Sequence, residues 1–170
     1  MNPTSPVKIS AACKADLIIV QDLARRIWHH HYPGIISVEQ IDCMLARGYV
    51  AVVLETFLTT PGSGLVLARA DDVPVGFAAW YRPGEPATTK LDKLYVLQEY
   101  QGRGIGRRLI AHVEAAARDD AASVLILNVN KHNAASIATY DHCGFVVREE
   151  VVVEIGNGFV MDDYVMSKRL

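Results

Sequence analysis

The stretch that decides the fold is residues 91–119, LDKLYVLQEYQGRGIGRRLIAHVEAAARD. Its first part, KLYVL at 93–97, is apolar and typical of a strand, whereas the part from Ile105 onward repeats apolar residues at helical spacing. Between them stands QGRGIG (101–106), which contains three glycines. Because glycine loses more conformational freedom on ordering than any other residue, this density indicates that the backbone itself has a task there.

A glycine-rich turn that leads from a strand into a helix suits an anion, because its backbone N–H groups converge at the positive end of the helix dipole. The dinucleotide pattern GxGxxG is not met, since Arg107 stands where the third glycine would be and the next strand ends in Asn128. The triphosphate-binding string GxxxxGK[ST] occurs nowhere in the chain. The sequence therefore predicts an anion site of another kind at 101–106.

The residues after this helix extend the pattern. SVLILNV (123–129) is a near-continuous apolar run, typical of a strand buried on both faces, and it completes a βαβ unit with parallel strands. Asn133 is expected to cap a further helix that ends at Gly144. GNG at 156–158 then predicts a hairpin turn between two final strands.

The first part of the chain predicts a strand at 7–10 and a helix at 16–31. Ser37, with Gln40 three residues later, resembles a capping box that opens a second helix ending at Gly48.

The β-branched and apolar runs YVAVVLE (49–55), GLVLARA (64–70) and VGFAAWYR (75–82) predict a β-meander. The expected fold is α/β, with a mixed central β-sheet, helices on both faces and the order β-α-α-β-β-β-α-β-α-β-β. A single domain is expected over residues 1–170.

Composition narrows the function further. The chain is 51% hydrophobic and 21% charged, with a formal net charge of −2, so neither nucleic acid nor a membrane is expected as a partner. The three cysteines (Cys13, Cys43 and Cys143) are odd in number and form no CxxC pair, which favours free thiols in the cytoplasm. No apolar stretch approaches the roughly 20 residues of a membrane span.

The segment QGRGIG fits the Q/R-x-x-G-x-G/A signature of the GNAT superfamily of N-acetyltransferases. LNVNKHNAASIATYDHCGF (127–145) resembles the second conserved block of that family, and the resemblance extends over about residues 76–147. It implies a GNAT-like fold, acetyl-CoA as cosubstrate, no metal, and direct transfer of an acetyl group to an amine. A small-molecule or peptide amine is the expected partner, and homodimerisation is left open.

The resemblance also implies cofactor contacts. The pyrophosphate would take backbone N–H groups of 102–106, and the backbone around 94–97 would hold the pantetheine arm like an added strand and polarise the acetyl carbonyl. Asn133 would act as cofactor contact, as helix cap, or as both. The implied contacts are Leu94, Tyr95, Val96, Gln101, Gly102, Arg103, Gly104, Ile105, Gly106, Asn128 and Asn133.

Two catalytic residues are expected. Tyr140 lies seven residues after Asn133, the spacing of the family's tyrosine whose hydroxyl faces the sulfur, so the resemblance implies a general acid; packing in the core is the alternative. Asp92, on the strand before the glycine turn, is the candidate general base, with a solvated charge at a strand edge as the alternative.

Other carboxylates of the chain would draw a cationic amine into the site by their negative charge. Asp162, Asp163 and Glu85 are candidates for this role, although acidic pairs near turns are usually solvated, and solvation is the favoured interpretation.

The run WHHHYPG (28–34) contains three consecutive histidines. Consecutive helical residues point about 100° apart and cannot converge on one ion, so a metal site is not expected. In the GNAT family the segment between the first two helices lies over the acceptor pocket. Trp28, His31 and Tyr32 are therefore expected to line that pocket, with a histidine as an alternative base.

The acceptor itself is left open. RIWHHHYPGIISVEQI (26–41) resembles small bacterial enzymes related to polyamine or diamine acetyltransferases. Peptide N-termini, amino acids, aminoglycosides and protein lysines remain alternatives. So do two other classes of protein on the same fold, a non-catalytic acyl-CoA-binding sensor and an interaction module.

Overall fold

The computed structural model describes residues 6–170. Its helices are α1 (Leu17–His31), α2 (Val38–Gly48), α3 (Ala51–Thr59), α4 (Ile105–Asp119) and α5 (Ala134–His142). Its strands are β1 (Val7–Ala11), β2 (Gly64–Ala70), β3 (Val73–Tyr81), β4 (Thr88–Val96), β5 (Val124–Asn130), β6 (Val146–Gly156) and β7 (Phe159–Arg169). Among these helices none is both long and apolar enough to span a membrane.

The seven strands form one sheet in the order β1-β2-β3-β4-β5-β7-β6. Neighbouring strands are antiparallel, except that β4 and β5 are parallel and are connected by α4. The mixed sheet and the βαβ unit predicted from the sequence are therefore confirmed. The hairpin turn at 156–158 joins β6 to β7 as expected.

Two hydrophobic cores lie on opposite faces of the sheet. On one face α4 contributes Leu109 and Val113, which pack with Leu125 and Leu127 of β5. On the other face α1, α2 and α3 pack against the alternate side chains of β2 to β4, such as Phe77. The helix that follows the glycine turn thus buries the apolar stripe that its sequence predicts.

The prediction of a strand at 49–55 is wrong: the structure has an additional helix, α3, before the three strands β2 to β4, and the rest of the predicted order is confirmed. Val50 caps the N-terminus of α3 with an extended backbone, and the helix buries Leu54 and Phe57 at an i, i+3 spacing. The β-branched residues favour a strand, but Val52 is exposed and has no strand partner in this structure. Tertiary packing of one helical face overrides the local strand preference.

The parallel pair β4–β5 is short. Its register runs from Thr88 opposite Val124 only to Leu91 opposite Leu127, after which the strands separate. Asn128 is consequently exposed although it follows three buried residues. The separation opens a cleft in the middle of the sheet, between the carboxyl ends of the two strands.

Candidate active site

The cleft between β4 and β5 continues into a cavity of about 400 Å³, a size that suits a small ligand. Twelve of the residues singled out in the sequence line it: Trp28, His31, Tyr32, Asp92, Leu94, Tyr95, Val96, Gln101, Asn128, Asn133, Tyr140 and Asp163. The structure therefore brings together residues from α1, β4, β5 and α5 that are up to about a hundred positions apart in the chain.

The glycine loop (residues 101–106) begins at the edge of this cavity and runs into α4. Gly102 and Gly104 have positive φ angles of 73° and 75°, which other residues adopt only under strain. No atom lies within 4 Å of the place where a side chain at Gly102, Gly104 or Gly106 would begin. The N-terminus of α4 has no side-chain cap, so its first N–H groups are presented by bare backbone.

The side chains of the glycine loop turn away from that backbone. Gln101 donates to the Val96 carbonyl at 3.1 Å, and Arg103 donates to the Glu99 carbonyl at 3.0 Å. Ile105 is buried beneath α4 in the core, so only its N–H group is available to a ligand. The loop can therefore bind an anion such as a phosphate through main-chain donors.

The separated strands provide a second set of main-chain groups. Beyond Leu91 and Leu127 the β4–β5 register ends, so backbone groups of 94–96 and of 128–130 border the cleft. An extended ligand with amide groups could pair with them as a strand pairs with a sheet edge.

An irregularity in β4 shapes the wall of the cleft. Ala79 of β3 pairs with Lys93 and Trp80 pairs with Leu91, so Asp92 is the extra residue of a β-bulge. Lys93 is only 7% exposed, and its Nζ lies 2.9 Å from Asp92 Oδ2 and 4.4 Å from the centre of the Tyr49 ring. The charge of Asp92 is thus already paired by a buried ammonium, a contact that the sequence pattern does not reveal.

Tyr140 lies on α5 and lines the cavity from the side of β5. Its ring packs edge-on against Phe145, with centroids 5.8 Å apart. Burial raises the pKa of Tyr140 well above its usual value, and the nearby Tyr32 and Cys143 act in the same direction. The phenol therefore stays protonated at neutral pH and is suited to donate a proton.

Asn133 is buried and serves as the cap of α5, because its side chain accepts a hydrogen bond from the Ser136 N–H at 3.3 Å. The capping role predicted from the sequence is therefore confirmed. Its side chain also faces the cavity, so capping and ligand contact are compatible.

The opposite wall is an aromatic cluster, formed by Trp28, Tyr32, Tyr49 and Tyr95. Trp28 and Tyr32 have ring centroids 4.4 Å apart, and the hydroxyls of Tyr32 and Tyr95 lie 3.3 Å apart. The indole of Trp28 donates to the Tyr49 hydroxyl at 3.2 Å. Burial raises the pKa of all three tyrosines, so they remain neutral.

The three histidines face different neighbours. His29 contacts the Arg25 carbonyl and the Asp42 carboxylate, each at 2.9 Å, and His30 is exposed. Only His31 lines the cavity, with its ring 4.9 Å from that of Tyr32. Across residues 6–170 no three or more histidine, cysteine or carboxylate side chains are grouped closely enough to hold a metal ion.

The two neighbouring aspartates of β7 lie in different environments. Asp162 is 44% exposed and pairs with Lys131 at 2.6 Å, whereas Asp163 is 2% exposed and lines the cavity. Solvation, the interpretation favoured from the sequence, is therefore wrong for Asp163. Glu85 pairs with Arg148 at 2.9 Å and lies outside the residues that line the cavity.

The comparisons with known proteins identify the family. Residues 23–145 match the acetyltransferase (GNAT) family. An uncharacterised N-acetyltransferase of Mycobacterium tuberculosis is 30% identical over 138 residues, which are 81% of this chain and 87% of the relative.

Solved structures share the fold. The PaiA N-acetyltransferase of Thermoplasma acidophilum, in complex with coenzyme A, has a TM-score of 0.82 at 24% identity and covers 97% of this chain and 99% of its own. The GCN5-related N-acetyltransferase of Rhodopseudomonas palustris has a TM-score of 0.80 at 24% identity, covering 100% and 99%. From the family match and the relatives together, the chain belongs to the acetyltransferase (GNAT) family and is an N-acetyltransferase.

Proposed function

We propose that this chain, as a single domain over residues 1–170, transfers the acetyl group of acetyl-CoA directly to a primary amine of a small molecule or peptide. The observation that carries the proposal is the glycine loop at the start of α4, whose first residue Gln101 lines the same cavity as the separated ends of β4 and β5, and whose helix begins without a side-chain cap. One end of that cleft suits a phosphate, and its middle suits an amide-bearing arm.

The cosubstrate would be held mostly by main chain. N–H groups of 102–106 would bind its pyrophosphate, and the backbone of 94–96 would pair with the pantetheine arm, together with Asn128 and Asn133. When bound, acetyl-CoA supplies a thioester, whose acetyl carbon becomes bonded to the amine nitrogen as its C–S bond breaks and a thiolate leaves.

The protein's own groups have four tasks in this reaction. Main-chain N–H groups near Leu94 polarise the acetyl carbonyl as an oxyanion hole does. Tyr140 donates the proton that the departing thiolate needs and regains one from solvent. Trp28, His31 and Tyr32 form the wall against which the acceptor lies. A carboxylate must accept the proton of the ammonium, and the cavity offers Asp92 and Asp163.

A polyamine-like acceptor fits this wall best. The segment 26–41 resembles polyamine and diamine acetyltransferases, and it places Trp28 and Tyr32 in the cavity as an aromatic surface for an aliphatic chain. The three free cysteines of the described chain suit a reducing compartment, so we place the reaction in the cytoplasm.

Two measurements on the purified chain test the proposal. Calorimetric titration with acetyl-CoA is expected to show binding at one site per chain. Release of the free thiol is then followed with a panel of propylamine, putrescine, spermidine, an amino acid and a short peptide, and amine-dependent thiol release is the expected result. Binding without thiol release on any amine would indicate an acyl-CoA sensor, and absence of binding would contradict the proposal altogether.

A further inference from the structure

We propose that the carboxylate of Asp163 binds the ammonium group of the acceptor and takes its proton, so that the acceptor is an aliphatic amine that is cationic at neutral pH. This inference rests on the proposed function, since it names the substrate class and the base of that reaction.

The first observation is a buried carboxylate oxygen that lacks a hydrogen-bond partner. Asp163 is 2% exposed, lines the cavity, and has an Oδ1 atom without a hydrogen-bond partner among the described residues. On the neighbouring strands it is opposite Asn130 and Val151. A buried acceptor without a partner destabilises a fold, so its presence beside the cavity indicates that a ligand supplies the missing donor.

The charged groups around Asp163 leave that position free. Lys131 lies on the connection after β5, but its Nζ is already paired with Asp162 at 2.6 Å and Glu150 at 2.8 Å. Lys90 of β4 also lines the cavity and attracts the carboxylate without forming an ion pair with it among residues 6–170. Lys90 and Lys131 therefore act on Asp163 through space, and its ion-pairing position is open to a ligand.

Polar neighbours and burial shift the pKa of Asp163 in opposite directions. Burial raises the pKa of Asp163, while a hydrogen bond from the Asn128 side chain and the charges of Lys90 and Lys131 lower it, and Asp162 adds to the rise. Tyr32, which faces Asp163 from the end of α1, is uncharged. A raised pKa makes a carboxylate a stronger base, which is what proton removal from an ammonium requires.

Asp92, the other carboxylate that lines the cavity, differs from Asp163 in already having an ion-pair partner. Asp92 is paired with the buried Lys93 at 2.9 Å, so an ammonium ligand would have to displace an ion pair that is already formed. Of the two carboxylates in the cavity, the unpaired Asp163 is therefore the one available to bind a substrate. Asp92 then maintains the bulge of β4 together with Lys93.

The aromatic cluster fits the rest of such an acceptor. Tyr32 is near enough to Asp163 to be influenced by its charge and packs against Trp28, so an alkyl chain attached to the bound nitrogen would reach these rings. Aromatic faces attract a cation and exclude water, and both effects favour an aliphatic ammonium over a neutral or anionic group.

The proton transfer is balanced within the site. One N–H bond of the ammonium breaks, its electron pair stays on nitrogen, and an O–H bond forms on Asp163. The neutral amine then attacks the acetyl carbon and later loses a second proton to solvent. Asp163 returns its proton to solvent, and Tyr140 takes one proton from solvent to replace the one that it gives to the thiolate, so one net proton is released for each amide formed from an ammonium.

Turnover of two amines by the variant Asp163→Asn tests this role, with Asp162→Asn as the matched control. Propylamine is cationic at neutral pH, whereas trifluoroethylamine is largely uncharged and needs no base before attack. We expect kcat/KM for propylamine to fall by about 10²–10³-fold in Asp163→Asn and the value for trifluoroethylamine to change by less than about fivefold. In Asp163→Asn the rate with propylamine should rise about tenfold per pH unit over the neutral range, because only the free amine can then react, and Asp162→Asn should behave as the wild type. An equal loss on both amines, or no loss, would overturn the inference.

A binding measurement keeps the inference testable even if no amine is acetylated. Propylammonium chloride is titrated into the wild type and Asp163→Asn by calorimetry, with thermal unfolding in parallel. We expect binding to the wild type only, with an affinity ratio of at least about tenfold. Equal affinity would contradict the ammonium site, whereas binding to the wild type alone without thiol release would preserve the site and contradict the proposed acetyl transfer.

Discussion

The two ends of the cleft recognise their ligands by opposite means. The glycine loop offers exposed main chain from which the side chains of Gln101 and Arg103 turn away. The acceptor end offers side chains, namely the aromatic cluster and the buried carboxylate of Asp163. The first end suits an anion and the second a cation. Ligand binding at the glycine loop should therefore be lost when a side chain is added there. Binding or turnover at the acceptor end should be lost when side-chain atoms are removed.

The largest effect is expected from adding a charged side chain to the glycine loop. Gly106 has an ordinary helical backbone and open space beside it, so Gly106→Glu should fold. A carboxylate next to bound phosphate costs several kcal/mol, so acetyl-CoA affinity should fall by about 10³-fold or beyond detection in calorimetry. Gly104→Glu should also abolish binding, although the positive φ of Gly104 adds backbone strain.

Gly106→Ala is the matched control for that experiment. It should raise the free energy of unfolding by roughly 0.5–1 kcal/mol, since alanine is the better helix former, and lower acetyl-CoA affinity only modestly. Unchanged affinity in a folded Gly106→Glu chain would contradict the phosphate site.

Removal of one oxygen at the middle of the cleft should have the next largest effect. Tyr140→Phe keeps the packing against Phe145 while deleting the acid, so kcat should fall by about 10²-fold, or by about tenfold if a water replaces the hydroxyl. Acetyl-CoA affinity should stay within about twofold in the same preparation. If turnover and the alkaline limb of the pH profile are both unchanged, the tyrosine serves only packing.

The acceptor end should respond to removal of the Tyr32 hydroxyl by a smaller amount. Tyr32→Phe deletes the contact with the Tyr95 hydroxyl, and one hydrogen bond contributes about 0.5–1.5 kcal/mol. The KM of the amine should rise roughly 3–10-fold, with kcat and acetyl-CoA affinity nearly constant. The double variant Tyr32→Phe/Tyr95→Phe should cost less than the sum of the single ones, and strict additivity would show that the two hydroxyls act independently.

The smallest effect concerns stability and its dependence on pH. The raised pKa of Asp163 means that folding favours the protonated carboxyl, so this group stabilises the chain fully below its unfolded pKa and less as pH rises through the folded pKa. Asp163→Asn should therefore match the wild type near pH 4. Its melting temperature should exceed that of the wild type by about 2–4 °C at pH 8, which corresponds to roughly 1 kcal/mol. A variant that is less stable at pH 8 would mean that the carboxylate has a stabilising partner.

The parts of the fold that the sequence predicts correctly are governed by neighbours along the chain. The glycine loop and α4 follow from residues within one turn of each other, as do the caps at Ser37 and Asn133. The helix α3 was predicted as a strand, because its burial of Leu54 and Phe57 depends on contacts with α1 and β2 that local propensity does not contain.

The same distinction explains what was missed at the acceptor end. On β7 the alternation of strand residues separates Asp162 from Asp163, but both faces of the strand carry apolar residues, so the sequence does not show which aspartate turns inward. Only the pairing of β7 with β5 decides this, by setting Asp163 opposite Asn130. The ion pair of Lys93 with Asp92 likewise depends on a bulge that leaves no clear mark on the sequence.

The short register between β4 and β5 also affects how the molecule fluctuates. Antiparallel ladders run along both sides of this join, yet the join itself ends at Leu91 and Leu127, so local opening should be easiest there. A ligand strand inserted beyond that point would complete the sheet and slow amide hydrogen exchange at 128–130, which mass spectrometry can follow. Since a ligand stabilises a fold in proportion to the logarithm of its concentration, the resistance of this chain to proteolysis would then vary with the supply of its own acetyl donor.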